Sequence, residues 1–330
     1  MSQLRWNPML REWVAVASHR QVRPIALGNS GPAENCPFCP GGAEGLNAPY
    51  EIVCFENKYP SFVREPGQQA ASDGRELYKT APGRGVCEVV VYSPNHDSTL
   101  ADESTEHIHR LVKVWTDRYR EIGAVPFVKY VYIFENKGAV IGVTLSHPHG
   151  QIYAFPYIPP KVKVELDSER RYMRSNRSCL LCDMVRNEIR EGVRLVSVNR
   201  HFAAFVPHFA KYPYEIHIVS RRHLGHLADM TQREQWSLAG ILKTILVKYD
   251  GLFGFPFPYM MLMHQTPTDG KRHKYHHFHI EFFPPHRSRE KIKYLAGCES
   301  GAGTFINDTI PEEKAAELRK AGLKGSRKRV

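Results

Sequence analysis

The chain states one arrangement of residues twice. From Cys36 it runs through CPFC, ENKYPSF, EVVVYSPNHDSTLADESTEHIHRL and HPHGQIYAFP. From Cys179 it runs through CLLC, VNRHFAAF, EIHIVSRRHLGHLADMTQREQWSL and HHFHIEFFP. The order is the same, and Leu-Ala-Asp recurs at Leu100 and at Leu227. Cys36 and Cys179, His96 and His223, and His147 and His277 are separated by similar lengths of chain, so modest loop differences account for the mismatch. A duplicated unit restricts the fold more than any local propensity does, because one architecture must satisfy both copies.

Each copy reads as strands, a helix and further strands. CEVVVYS and YEIHIVS are rich in β-branched and aromatic residues, which suit a pleated surface. Ile108, Leu111, Val112, Trp115, Tyr119 and Ile122 recur at helical spacing, as do Leu238, Ile241, Leu242, Ile245 and Tyr249. Thr231 with Glu234 predicts a capping box. VKYVYIFEN and PYMMLMHQ predict strands that lead by a loop into each H-x-H strand. Short links between strands point to an α+β fold with an antiparallel sheet. Two halves, 1–165 and 166–330, are expected to pair into one extended sheet with helices packed on it, as one compact unit. Residues 157–178 read as the connection between them, and TIPEEKAAELRK as a short helix with Pro311 in its first turn.

The net charge of +11 favours anionic partners, either nucleic acid or a small phosphorylated substrate. Part of that charge lies in the tail KGSRKRV. Neither an RNA-binding signature nor a zinc-finger spacing accompanies it, which argues against nucleic acid. No run approaches the roughly 18 apolar residues of a membrane span. MSQLRWNPML has no long apolar stretch, so a cytoplasmic enzyme is expected.

Four of the seven cysteines form C-x-x-C pairs. Without a signal segment such pairs suggest metal or redox chemistry rather than a disulfide framework. Two thiolates about a turn apart suit tetrahedral zinc, and His96 and His147 can complete a set with Cys36 and Cys39. Cys179, Cys182, His223 and His277 form the matching set. The competing reading is buried thiols and satisfied core histidines; the repetition of the whole set favours metal.

In a strand, His147, His149 and Gln151 share one face. Before them ENKGAVIGVTLS offers Asn136, Lys137, Gly138, Gly142 and Thr144, a turn able to bring N–H groups and donors to an anion. A neutral imidazole is a good nucleophile toward phosphorus once its other nitrogen is fixed by an acceptor. Gln151 can donate to a phosphoryl oxygen but cannot supply a proton. A phosphate leaving group needs none, so this pattern points to transfer between phosphates rather than hydrolysis.

The pattern FENKGAVIGVTLSHPHGQIYA, with CPFC, YSPNH and FHIEFFPP, resembles the galactose-1-phosphate uridylyltransferase family of the histidine triad superfamily over nearly the whole chain. The resemblance implies an antiparallel half-barrel, a homodimer and a ping-pong reaction. His149 would take uridylyl from UDP-glucose and pass it to galactose 1-phosphate, with Gln151 and Thr144 holding the phosphoryl group. Asn136 and Gly142 would lie on the nucleotide loop, Arg20 and Arg23 near the substrate phosphates, Asn57 on the nucleotide, and Lys293 and Glu299 on the hexose. It assigns zinc to Cys36, Cys39, His96 and His147. A second metal is iron in some members, through residues matching Glu165, His264, His279 and Glu281, or zinc through the second Cys/His set. This chain has glutamate at Glu281 where iron-binding members have histidine, so a second zinc is expected. The chain also departs from better-known members at Thr144 and in SGAGTFIND. Competing readings are an ADP-sugar phosphorylase, a triad-type nucleotide hydrolase (against which Gln151 argues) and a zinc-bearing nucleic-acid-binding protein.

Overall fold

Strands rich in valine, isoleucine and aromatics supply the frame of the computed structural model, which describes residues 2–22, 36–44, 49–67 and 76–322. The first half carries β1 (Ser2–Asn7), β2 (Glu12–Ala17), β3 (Val53–Glu56), β4 (Thr80–Pro82), β5 (Val86–Val91), α1 (Thr105–Gly123), β6 (Tyr130–Lys137) and β7 (His149–Phe155). The second begins with α2 (Pro160–Asn176) and α3 (Leu180–Glu191). There follow β8 (Leu195–Val198), β9 (Phe202–Phe205), β10 (Ile216–Ser220), α4 (Gln232–Phe253), β11 (Tyr259–His264), β12 (His279–Phe283), α5 (Gly297–Ala302) and α6 (Pro311–Lys320).

Nine strands form one open sheet in the order β3-β5-β7-β6-β11-β12-β10-β9-β8. All its neighbours pair antiparallel. From the seam where Ile133 meets Met263 and Lys137 meets Tyr259, the order runs β6, β7, β5, β3 on one side and β11, β12, β10, β9 on the other. The duplicated sequence has become a duplicated strand order, joined by backbone hydrogen bonds. A second sheet, β2-β1-β4, pairs with no strand of the large one but packs Leu4 in one cluster with Phe62 and Cys87.

Alternation sorts the faces. Val131, Ile133, Ile152 and Ala154 join a core that α1 and α4 complete. Trp115, Ile108, Leu111, Leu242 and Ile245 are buried there, so both helical stripes face the sheet as expected. Each such side chain gains roughly 1.5–3 kcal/mol from leaving water. Ser104 caps α1 by accepting from the His107 N–H at 3.0 Å. Thr231 and Glu234 form the expected capping box on α4.

The opposite face is covered by α2, whose Val162 and Leu166 pack on Tyr130, Tyr132 and Phe155. Residues 157–178 are thus a helix on the sheet as well as a connection, and position 165/166 falls inside it. Pro160 opens the helix at a position that needs no N–H partner, and the short apolar stripe explains why periodicity did not reveal it. No helix among the described residues is long and apolar enough to cross a membrane. The tail 323–330 lies outside the described residues.

Candidate active site and metal groups

Cys36 and Cys39 stand in a tight turn, with the Cys39 N–H donating to the Cys36 carbonyl at 3.3 Å. The chain after β5 brings His96, and the chain before β7 brings His147. Nδ1 of His147 lies 3.6 Å from both sulfurs, and Nδ1 of His96 lies 3.6 Å from Cys39 Sγ. The four ligand atoms lie within 4.8 Å of one another. Zinc bonds of about 2.3 Å to sulfur and about 2.0 Å to nitrogen set a tetrahedral S···N edge near 3.5 Å, so the group is already the right size. His147 Nε2 donates to the Ser93 carbonyl at 2.7 Å, leaving Nδ1 with its lone pair toward the thiols. Burial, with Cys36 beside it, pushes the Cys39 thiol up to about 11; a bound cation favours the thiolate instead.

The second half repeats the group. His277 Nδ1 lies 3.5 Å from Cys179 Sγ and 3.3 Å from Cys182 Sγ, while His223 Nδ1 is 3.6 Å from Cys182 Sγ. His277 Nε2 donates to the Ser220 carbonyl at 2.9 Å, as His147 does to Ser93. A distinct cluster joins Glu165 on α2 to His264 and His279, with His264 Nδ1 2.7 Å from Glu165 Oε2. The two second-metal sets are therefore not alternatives in space: both are built, side by side. Glu281 is the exception, held by Lys161 at 3.1 Å and 3.4 Å from His264 Nε2. Burial alone would depress His264, but Glu165 and Glu281 outweigh it and push it up to about 10.

His149 opens β7. Its Nδ1–H donates to the His147 carbonyl at 2.7 Å, which fixes the tautomer and leaves the lone pair on Nε2. The Phe38 ring meets the imidazole edge-on, with centroids 5.1 Å apart. His149 lines a cleft of about 380 Å³ with Asn136, Lys137, Gly138, Thr144 and His147. Gly138 and Gly142 hold positive φ of 105° and 83°, so the loop turns where only glycine is comfortable.

The other expected residues are distributed. Lys137 is paired with Asp250 at 3.2 Å, so its charge is already partnered. Gln151 shares the partly open face of β7 but is not among the residues lining the cleft. Arg20 bonds the Ser61 hydroxyl, and Asn57 accepts the Tyr59 N–H at 2.8 Å on a separate small hollow. Lys293 and Glu299 form a buried pair at 2.9 Å. Arg23 lies outside the described residues.

Sequence reasoning overlooked Glu135. It lines the cleft on the buried face of β6, and Tyr259 donates to it at 3.0 Å. Burial pushes its carboxyl up to about 7. The signal was present, since period-two reading of YVYIFEN puts this charge in line with Val131 and Ile133. Gly150 also has a reason: a Cβ there would lie 2.0 Å from the Tyr92 hydroxyl. In the second half the residue matching Gly150 is Ile280, which pairs with Ile218 as Gly150 pairs with Val90.

Comparison with known proteins agrees with this frame. Models of the galactose-1-phosphate uridyl transferase N-terminal and C-terminal domains match residues 1–159 and 165–328. A galactose-1-phosphate uridylyltransferase of Thermotoga maritima is 41% identical, covering 97% of this chain and 98% of its own. A solved uridylyltransferase superposes with TM-score 0.86 at 35% identity, covering 98% and 99% of the two chains. An ADP-glucose phosphorylase from Arabidopsis thaliana with bound ADP-glucose gives 0.75 at 27%, covering 98% and 100%. These likenesses define an enzyme of the nucleotidyltransferase class. The chain belongs to the galactose-1-phosphate uridylyltransferase family.

Proposed function

We propose that the chain exchanges a uridylyl group between UDP-glucose and galactose 1-phosphate by a ping-pong reaction on His149. The observation that carries this is the 2.7 Å bond from His149 Nδ1 to the His147 carbonyl, beside a glycine-turned loop. In the first step Nε2 forms a bond to the α-phosphorus, and the bond from that phosphorus to the glucose 1-phosphate oxygen breaks. The electron pair leaves with the phosphate, which needs no proton. In the second step an oxygen of galactose 1-phosphate attacks the same phosphorus and the N–P bond electrons return to the ring. Positive charge on the intermediate imidazole is shared through Nδ1–H with the His147 carbonyl. Gln151 and Thr144 are assigned to the phosphoryl oxygens, Asn136, Gly138 and Gly142 to the nucleotide, Arg20 and Arg23 to the substrate phosphates, and Asn57 to the nucleoside. Lys293 and Glu299 are assigned to the segment that meets the hexose.

Cys36, Cys39, His96 and His147 would hold a zinc ion, and Cys179, Cys182, His223 and His277 a second. Bound there, zinc supplies a cross-link that fixes loops to the sheet. Residues 1–165 are read as the catalytic half and 166–330 as its supporting counterpart. A cytoplasmic setting keeps such thiols reduced; assembly as a homodimer rests on the family resemblance.

Intact-mass spectrometry after separate incubation with UDP-glucose and ADP-glucose tests the reading. A uridylyl adduct is expected, absent in His149→Gly and discharged by galactose 1-phosphate as UDP-galactose. An adenylyl adduct alone would make the chain an ADP-sugar enzyme; no adduct from either would sink covalent transfer.

A further inference from the structure

The duplication leaves the second half with a cleft of its own. About 650 Å³ is bounded by the chain after β10, at Arg222, His223 and Gly225, and by the loop before β12, at Lys271–His276. These are the counterparts of His96–Leu100 and Val143–His149, which bound the first cleft. Each cleft also touches its own Cys/His group, through His96 in one and His223 in the other.

Its charge is different from that of the first cleft. Lys271, Arg272 and Lys274 project from one short loop, all exposed, and among the described residues their side chains make no ion pair. Asp229 is the one acid that lines the cleft, whereas Arg222 is already matched by Glu234 at 2.7 Å. Like charges so close repel one another, and a multiply charged anion relieves that repulsion. The loop is held in shape before any ligand arrives. Asp269 accepts from the Lys271 N–H at 3.0 Å and pairs with His273 Nε2 at 2.9 Å. Gly270 takes a φ of 79°, and the His276 N–H returns to the His273 carbonyl at 2.9 Å. A pre-shaped loop loses little entropy on binding.

The counterpart of the nucleophile does not serve this cleft. His279 repeats the Nδ1 bond of His149, to the His277 carbonyl at 3.0 Å, but is 5% exposed and is absent from the cleft lining.

We propose that this cleft is a second, non-reacting site for a di- or triphosphate group, held chiefly by Lys271, Arg272 and Lys274. The inference uses the reading of the first cleft as a nucleotide site, through the duplication that relates them. Free pyrophosphate and a nucleoside di- or triphosphate present the same group, so the experiment separates them.

Calorimetric titration of full-length protein with inorganic pyrophosphate, ATP and UDP-glucose tests it, beside the variant Lys271→Ala/Arg272→Ala/Lys274→Ala. All three side chains are exposed, so the variant is expected to fold and to keep uridylyl transfer within about twofold. At least one ligand should occupy a site that the variant weakens tenfold or more and that His149→Gly leaves intact. Preference for ATP over pyrophosphate would identify a nucleotide as the occupant; equal binding would identify the phosphate group alone. Identical isotherms in wild type and variant would overturn the proposal, while His149-dependent labelling reports separately on the first cleft. Arg222 also borders a neighbouring hollow lined by Arg186, Arg190, Arg200 and Arg221. A single-stranded oligonucleotide displacing all three ligands with steep salt dependence would therefore replace the small-anion proposal with a polyanion surface.

Discussion

His149 and His279 make the same bond in opposite settings: each imidazole donates from Nδ1 to the carbonyl two residues before it, at 2.7 and 3.0 Å. The backbone of an H-x-H strand produces that geometry by itself. What differs is the surroundings: His149 lines the first cleft, whereas His279 packs in a cluster with His264 and Glu281.

The role proposed for Gln151 is to keep the reaction a transfer. Gln151→His adds a group able to give and take a proton near pH 7. The variant should hydrolyse UDP-glucose faster relative to transfer, with the transfer rate falling by on the order of 10²-fold, since general acid–base terms are worth that much. Product partition with and without galactose 1-phosphate measures it; an unchanged partition would remove Gln151 from this role.

Gly150 and Tyr92 are a matched pair. Gly150→Ala forces a methyl into the space of the Tyr92 hydroxyl, 2.0 Å from the ideal Cβ, and should cost about 1–3 kcal/mol as overpacking does. Tyr92→Val, which removes the ring and its hydroxyl, should restore part of that loss in the double variant. Chemical denaturation of the four proteins gives the coupling; strict additivity would mean the two residues do not compete for space.

Metal removal should loosen both halves. A chelator is expected to lower the melting temperature, and Cys39→Ser to reduce zinc content by one ion per chain. A ligand present at about a thousand times its Kd stabilises by about 4 kcal/mol. A melt indifferent to chelator, with no zinc by elemental analysis, would return the thiols to ordinary core residues.

The α4 cap predicts an acid limb. The Arg222 hydrogen bond, then Thr231, hold the Glu234 carboxyl at about 2, against burial that would raise it. Its folded value lies below its unfolded one, so its stabilisation is complete above about pH 4.3 and fades as pH falls toward 2. Glu234→Gln should cost about 1 kcal/mol at neutral pH and flatten the stability curve across that window. An unaltered acid limb would show that other carboxylates govern it.

Much of this was legible in the chain. Runs of β-branched and aromatic residues located the sheet strands, several of them buried on both faces. Helical spacing located the α1 and α4 stripes, where burial on one face leaves a mark at every third or fourth residue. The twin Cys/His sets were readable because ligands need fixed residue types, and all eight come together. Helix α2 was not readable as a helix: 160–176 is charged on most sides, and only its packing on Tyr130 and Phe155 gives Val162 and Leu166 a purpose. Glu135 was visible only as an oddity in an apolar strand.

By itself, then, the sequence determined the duplicated open sheet, the metal-ligand sets and the histidine whose neighbour's carbonyl orients it, because each follows from local spacing. Tertiary structure alone decided which copy of that histidine lines a cleft. It also decided that both second-half ligand clusters exist side by side, and that Lys137 and Lys293 have their charges matched within the chain. Apart from the nearby Lys293–Glu299 pair, those outcomes depend on contacts between residues tens to more than a hundred positions apart, which no local pattern encodes.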